Sequence, residues 1–320
     1  VICEQPAVPF IISLIVATLG FATPLTLGAL CGLFCERSGI VNIAIEGLML
    51  TAAFVGFVAS SLSHSVWLGL LFAVLAAVLM SALHALLSIR FSVDQIISGT
   101  VVNILAIGIT GYFNSVLVGA HSLPDPPGTF SQIGFTVPRD IAVIGGSDFK
   151  LPPLAILAVI LVFVAQYVLF NTSWGLRTRA VGENPEAADT VGINVYFMRY
   201  SNVLIGGTLA GLAGAYFTLE STSTFENGMT AGKGFIALAA LIFGKWRPFG
   251  LWGAALLFGF AQALTITVQF LQQSVDSCKF GIPRDLLVVL PYILTILVVA
   301  GVVGRSIPPA AVGQPYRKGR

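Results

Sequence analysis

The sequence predicts an all-α, polytopic membrane bundle of about 8–9 transmembrane helices. Three observations carry this. Apolar runs of 18 or more residues, each long enough to cross a bilayer, recur from end to end. Only 9% of the 320 residues are charged against 56% hydrophobic, and the mean hydropathy is +0.93. The runs lack the strict two-residue alternation of a membrane β-barrel strand. The whole of residues 1–320 reads as one transmembrane domain.

The first span is expected at about residues 9–34. Its apolar run has no basic leader and is too long for a signal-peptide core, so it reads as a retained membrane helix. The chain begins with Val1, so the natural start is expected upstream or at an unusual codon. A polar turn at 36–39 leads to a second span at 40–60, which carries Asn42 and Glu46. Spans three, four and five follow at 66–89, 96–119 and 151–170. Between the last two, residues 120–150 form a proline- and glycine-rich loop, long enough to carry structure of its own. Span six, 200–219, contains GGTLAGLAGAY, whose glycine ridges let another helix approach closely. The apolar stretch 234–244 is only about 16 Å long as a helix, half a bilayer, so it is expected to be broken or re-entrant. Spans at about 249–271 and 285–303 complete the bundle.

Charge gives the sidedness. With residues 177–199 placed in the cytoplasm and 234–244 counted as a crossing, 11 of the 16 Lys and Arg residues fall inside. The outer ones are Arg139, Lys150, Lys233, Lys279 and Arg284. The positive-inside rule therefore places the N-terminus outside, the C-terminus in the cytoplasm and the 120–150 loop outside. A net charge of +2 says little about partners, and there is no basic cluster sized for nucleic acid.

No catalytic constellation stands out. The three histidines are isolated, and Cys31 and Cys35 share a helical face without a further ligand, so buried cysteines are expected rather than a metal site. There is no H-E-x-x-H, no G-x-S-x-G and no P-loop, so any ATP energy must come from another polypeptide. Polar groups within spans are the better leads, because each needs a partner or a cavity. Asn42, Glu46, Asn103, Phe113, Asn114 and Gln262 could line a substrate passage. Their alternative is helix–helix hydrogen bonding, with Glu46, near the membrane edge, clamping the 36–39 turn.

Residues 180–196, AVGENPEAADTVGINVY, gather three of the 14 carboxylates between two apolar segments. Asn184 suits an N-cap, Pro185 the first helical position, Glu186 and Asp189 the positive end of the dipole, and Gly192 the stop. Ala187, Ala188 and Val191 are expected to form one small apolar face. A helix of about two turns is too short to stand alone. It is either a connecting helix on the bilayer surface or a piece shaped to fit a partner.

Residues 182–193, GENPEAADTVGI, resemble the EAA-type coupling loop of permease subunits of ABC importers, keeping the E-A-A-x-x-x-G core without the I-x-L-P ending. SGIVNIAIEGLMLTAAF at 38–54 and GKGFIALAALIFGKWRPFG at 232–250 are similar to blocks of the branched-chain amino acid, ribose and nucleoside permease branch, nearest its nucleoside-type members. The resemblance covers about residues 25–300. It implies a permease subunit of the bacterial inner membrane that translocates a nucleoside or related simple sugar, with branched-chain amino acids or ribose as alternatives. It implies ATPase subunits that carry ATP and Mg and dock on Glu183, Asn184, Pro185, Glu186, Ala187, Ala188, Asp189 and Gly192, leaving no cofactor on this chain. A second, related permease and an extracytoplasmic substrate-binding protein complete the expected assembly. The rival from another class is a stand-alone secondary transporter or channel, disfavoured because carriers usually need ionisable groups deep in the membrane.

Overall fold

In the computed structural model, which describes residues 7–118, 124–136, 148–274, 289 and 306–318, seven helices are long and apolar enough to span a membrane. The chain is a multi-pass membrane protein. Helix α1 (Ala7–Arg37) is the central post, packed against later helices that return to its sides. Helix α2 (Ile45–Ser63) starts five residues later than expected. The preceding residues do not continue the helix; they climb back along α1 until Ile45 faces Gly28 and Gly32. Helix α3 (Val66–Ala85) extends through a π-helical turn to Arg90, and α4 (Gln95–Phe113) is capped by Asp94, whose carboxylate accepts from Ile96 and Ile97 N–H at 2.9 and 3.0 Å. The long polar loop does carry structure: strands β1 (Ile133–Thr136) and β2 (Asp148–Leu151) pair antiparallel, with Ile133 opposite Leu151.

Helix α5 (Pro153–Asn171) is followed by a helix the sequence reading missed, α6 (Ser173–Glu183), started by Thr172, whose hydroxyl accepts from Gly175 N–H. The short α7 (Pro185–Thr190) and the long α8 (Val195–Tyr216) follow. The glycine ridges of α8 are packing surfaces. A Cβ at Gly207 would lie 2.5 Å from that of Ser81, and one at Gly211 would lie 2.8 Å from Val74 Cα, so α3 lies directly on this face. Helices α9 (Lys233–Phe243) and α10 (Pro248–Ser274) complete the described helices.

The core joins α1, α2, α8 and α9 through Leu27, Leu30, Ile45, Leu48, Val203 and Ala237, all within it. Large apolar side chains on α3, α4 and α5, including Leu79, Ile104 and Phe163, point outward, as a lipid-facing belt requires. Of the expected last span (285–303) only residue 289 is described, and Cys3, Cys278, Lys279 and Arg284 lie outside the residues whose side chains are described. So does most of 120–150.

Candidate functional site

Two regions gather the polar groups, one at the end of the bundle holding α7 and one inside it. At the first, local grammar builds α7 as expected. Asn184 Oδ1 accepts from Ala187 N–H at 3.0 Å, Pro185 opens the helix, and Gly192 closes it at φ 85°. Gly182, just before, has no room for a side chain: a Cβ there would collide with the carbonyl oxygen of Arg37 at the end of α1.

The expected single apolar face does not exist. Ala188 is only 3% exposed and packs with Val181, Val195, Met198 and Tyr316, whereas Ala187 is exposed and Val191 is 75% exposed. Neighbouring helical positions lie about 100° apart, so Ala187 and Ala188 face different surroundings. Beside α7 a cleft of about 580 Å³ is lined by Trp174, Leu176, Arg177, Val191, Phe197 and Met198, among others.

Beneath this surface runs the C-terminal segment that follows the last expected span. Residues 306–318 cross from α9 to α7. Ser306 Oγ donates to Ile242 O at 2.8 Å, Ala311 N–H to Gly182 O at 2.9 Å, and Ala310 N–H to Glu183 Oε2 at 3.2 Å. Arg199, 2% exposed, donates to Gln314 O at 3.1 Å and lies over the Tyr316 ring at 6.0 Å. The Tyr316 phenol lies beside Asp189, and Lys318 approaches the same carboxylate at 3.9 Å. Burial, reinforced by Asp189, pushes the Tyr316 phenol up to about 12.

Inside the bundle, polar side chains fasten irregular backbone, which hydrocarbon cannot solvate. For the climbing segment before α2, Gln95 Oε1 accepts from Val41 N–H at 2.6 Å and His84 Nε2 meets Val41 O at 3.0 Å. Asn103 accepts from Gly47 N–H at 2.8 Å and donates to Ile43 O at 3.0 Å. Asn42 donates to the sulfurs of Cys31 and Cys35 at 3.5 and 3.3 Å and accepts from Ala44 N–H at 3.1 Å.

Glu46 holds a different break from the one expected. One carboxylate oxygen accepts from Thr230 Oγ1 at 2.6 Å and Gly232 N–H at 2.8 Å, and the other from Gly234 N–H at 2.6 Å. It therefore sits at the positive end of α9. From there α9 descends α1: Ala237 faces Gly28, Leu241 faces Gly32, and Trp246 O accepts from Arg37 Nη2 at 2.6 Å. Trp246 Nε1 also donates to Glu36 at 2.6 Å. The stretch 234–244 is thus the helical half of a broken crossing, and residues 222–232 are its non-helical half.

The family described as the branched-chain amino acid transport system/permease component matches residues 14–299. The chain belongs to this permease family. The permease is 44% identical to the guanosine ABC transporter permease protein NupQ of Bacillus subtilis over 97% of this chain and 98% of that protein. It is 39% identical to the nucleoside ABC transporter permease protein NupC of Lactococcus lactis, covering 94% and 95%. It is 36% identical to the putative glucose ABC transporter permease protein TsgC13 of Haloferax volcanii, covering 83% and 81%. No solved structure matches the permease.

Of the six residues expected along a passage, the permease commits Asn42, Glu46 and Asn103 to its own backbone and thiols. Phe113 is the last residue of α4 and Asn114 its C-cap, with Asn114 Nδ2 donating to Asn227 Oδ1 at 3.1 Å. Gln262 is half-buried on α10. Arg199, Tyr316, Thr230 and Asn227 were missed. Only the aromatic in an otherwise proline- and alanine-rich tail, and an arginine at the very edge of an apolar span, hinted at the first two.

Proposed function

We propose that this permease is the membrane subunit of an ATP-driven importer for nucleosides. The observation that carries the solute is similarity along nearly the whole chain to two permeases named for guanosine and nucleoside transport. The glucose-named relative, less similar, keeps a simple sugar as the second reading. Separate ATPase subunits bearing ATP and Mg dock on α7, and an external binding protein delivers solute to a pair of unlike permeases. This puts α7 in the cytoplasm of a bacterial inner membrane. The tail, held at the same end as α7, is then cytoplasmic as well, with the N-terminus and the 120–150 loop outside. The one-domain chain offers Glu183, Asn184, Pro185, Glu186, Ala187, Asp189 and Gly192 to the ATPase, while Ala188 anchors the helix from behind. Phe113, Asn114 and Gln262 remain passage residues. Asn42, Glu46 and Asn103 hold the frame.

Uptake of labelled guanosine and other nucleosides by cells with and without the gene tests the solute, with ribose, glucose and leucine as controls. Nucleoside uptake alone should fall. A fall in glucose or leucine uptake alone refutes the solute assignment. Docking is tested separately by Ala187→Arg, which points outward: it should abolish co-purification of the ATPase while leaving the melting temperature unchanged. Stoichiometric ATPase on that variant refutes the docking assignment.

A further inference from the structure

Residues 222–232 pose a physical problem that the fold itself does not solve. The segment begins where α8 and its π-helical end stop at Ser221 and finishes at the N-terminus of α9. Its depth is fixed by two contacts along α2. Phe225 packs edge-on against Phe54 with ring centroids 5.0 Å apart, and Thr230 and Gly232 bond Glu46. Those two α2 residues are eight apart, about 12 Å along a helix. Above Phe54, α2 continues for nine more residues to Ser63. The segment therefore descends within the membrane span. Yet Thr222, Thr224, Glu226 and Asn227 are all exposed. Irregular polar backbone at membrane depth is not tolerated against lipid; it must face water or protein.

We propose that this descending segment, with Asn114 of α4, is the solute-contacting wall of the translocation passage, and that it takes an uncharged, hydroxyl-rich solute of the nucleoside type. The inference rests on the importer reading above for the identity of the solute. The wall offers what such a solute needs: the Asn114–Asn227 amide pair, 3.1 Å apart, and the Thr224 hydroxyl. Glu226 adds negative charge, while the Lys233 ammonium is turned onto the Phe217 ring at 5.1 Å. The wall therefore disfavours phosphorylated solutes. Glu46 stays behind it as a positioning residue.

The test places single cysteines at Thr224 and Ala231 in the assembled transporter, in a background carrying Cys3→Ser and Cys278→Ser; Cys31 and Cys35 are buried. A charged, membrane-impermeant methanethiosulfonate should label both, unlike a cysteine at Leu79, which points outward from mid-α3. Guanosine should slow the labelling, and guanosine monophosphate should not. Asn227→Ala should lower uptake efficiency about five-fold, the worth of one neutral hydrogen bond, with ATPase co-purification intact. Labelling no faster than at Leu79 overturns the wall. So does labelling that no transported solute slows, together with unchanged uptake in Asn227→Ala. If another solute is transported and slows the labelling, the wall stands and only the nucleoside assignment falls.

Discussion

Replacing Glu46 separates a fastening role from a solute-binding one. Its carboxylate receives three hydrogen bonds, two from backbone N–H groups at the start of α9 and one from Thr230. Bonds to a charged group contribute about 1.5–3 kcal/mol each, and three that share one acceptor do not add fully. The loss in Glu46→Ala is therefore about 5 kcal/mol, comparable to the whole margin of many folded proteins. Glu46→Gln is the more informative change. Its amide oxygen can still accept from Thr230 and Gly232, but its NH₂ group then faces the Gly234 N–H, donor against donor. The helix dipole also loses its anion, worth about 0.5–1 kcal/mol. In detergent, Glu46→Ala should melt about 10 °C below the parent and Glu46→Gln roughly half as far below. Uptake should fall in proportion to folded protein, with the apparent KM unchanged. A Glu46→Gln variant as stable as the parent but with a raised KM would refute the fastening role and return Glu46 to the passage.

Three further outcomes follow from the geometry. Gly182→Ala gains up to about 1 kcal/mol of helix propensity but drives a Cβ into the Arg37 carbonyl, costing about 2–3 kcal/mol, so thermal melting should show net destabilisation. Asn103→Leu strands Gly47 N–H and Ile43 O inside the bundle and should cost about 2–4 kcal/mol by the same measurement. For Tyr316 the folded pKa, about 12, lies above the ordinary 10.0, so the native state retains a proton that the unfolded chain gives up. Its contribution is complete below pH 10 and is lost as pH rises through 12. Tyr316→Phe should lower the melting temperature at pH 9 and flatten its decline between pH 10 and 12. An unchanged slope in that variant would place the titration elsewhere.

The seven described spans were legible because a bilayer imposes about 20 apolar residues on every crossing helix, a constraint written directly into composition. The broken crossing was legible for the same reason, since the 11 residues of α9 cannot reach across alone. The cap and stop of α7 were legible because they act within three residues. What failed was everything decided at long range. Ala188 looked like part of an outward face because its partner Tyr316 arrives 128 residues later in the chain. Asn103 looked like a passage residue because an amide in a span reads the same whether it meets solute or a neighbour's backbone. Glu46 was expected on the nearest turn, whereas the N–H groups at the start of a half-helix, 186 and 188 residues away, made the stronger claim.

These long-range contacts also form one connected body. The tail joins α7, through Asp189 and Tyr316, to the end of α9 through Ser306, and Glu46 holds the other end of α9 next to residues 222–232. Substitutions far apart without shared partners usually add to within about 0.5 kcal/mol. A double-mutant cycle of Tyr316→Ala with Glu46→Gln, read in ATP-driven uptake per folded transporter, measures whether this body moves as a unit. Coupling above about 0.5 kcal/mol is expected, because Glu46 holds the N-terminal end of α9 and Tyr316 anchors the tail that bonds its C-terminal end through Ser306. Strict additivity would mean that α7 reaches the passage by another route, and the direct α6–α8 contact through Thr178 and Asn202, 3.1 Å apart, would be the next to break.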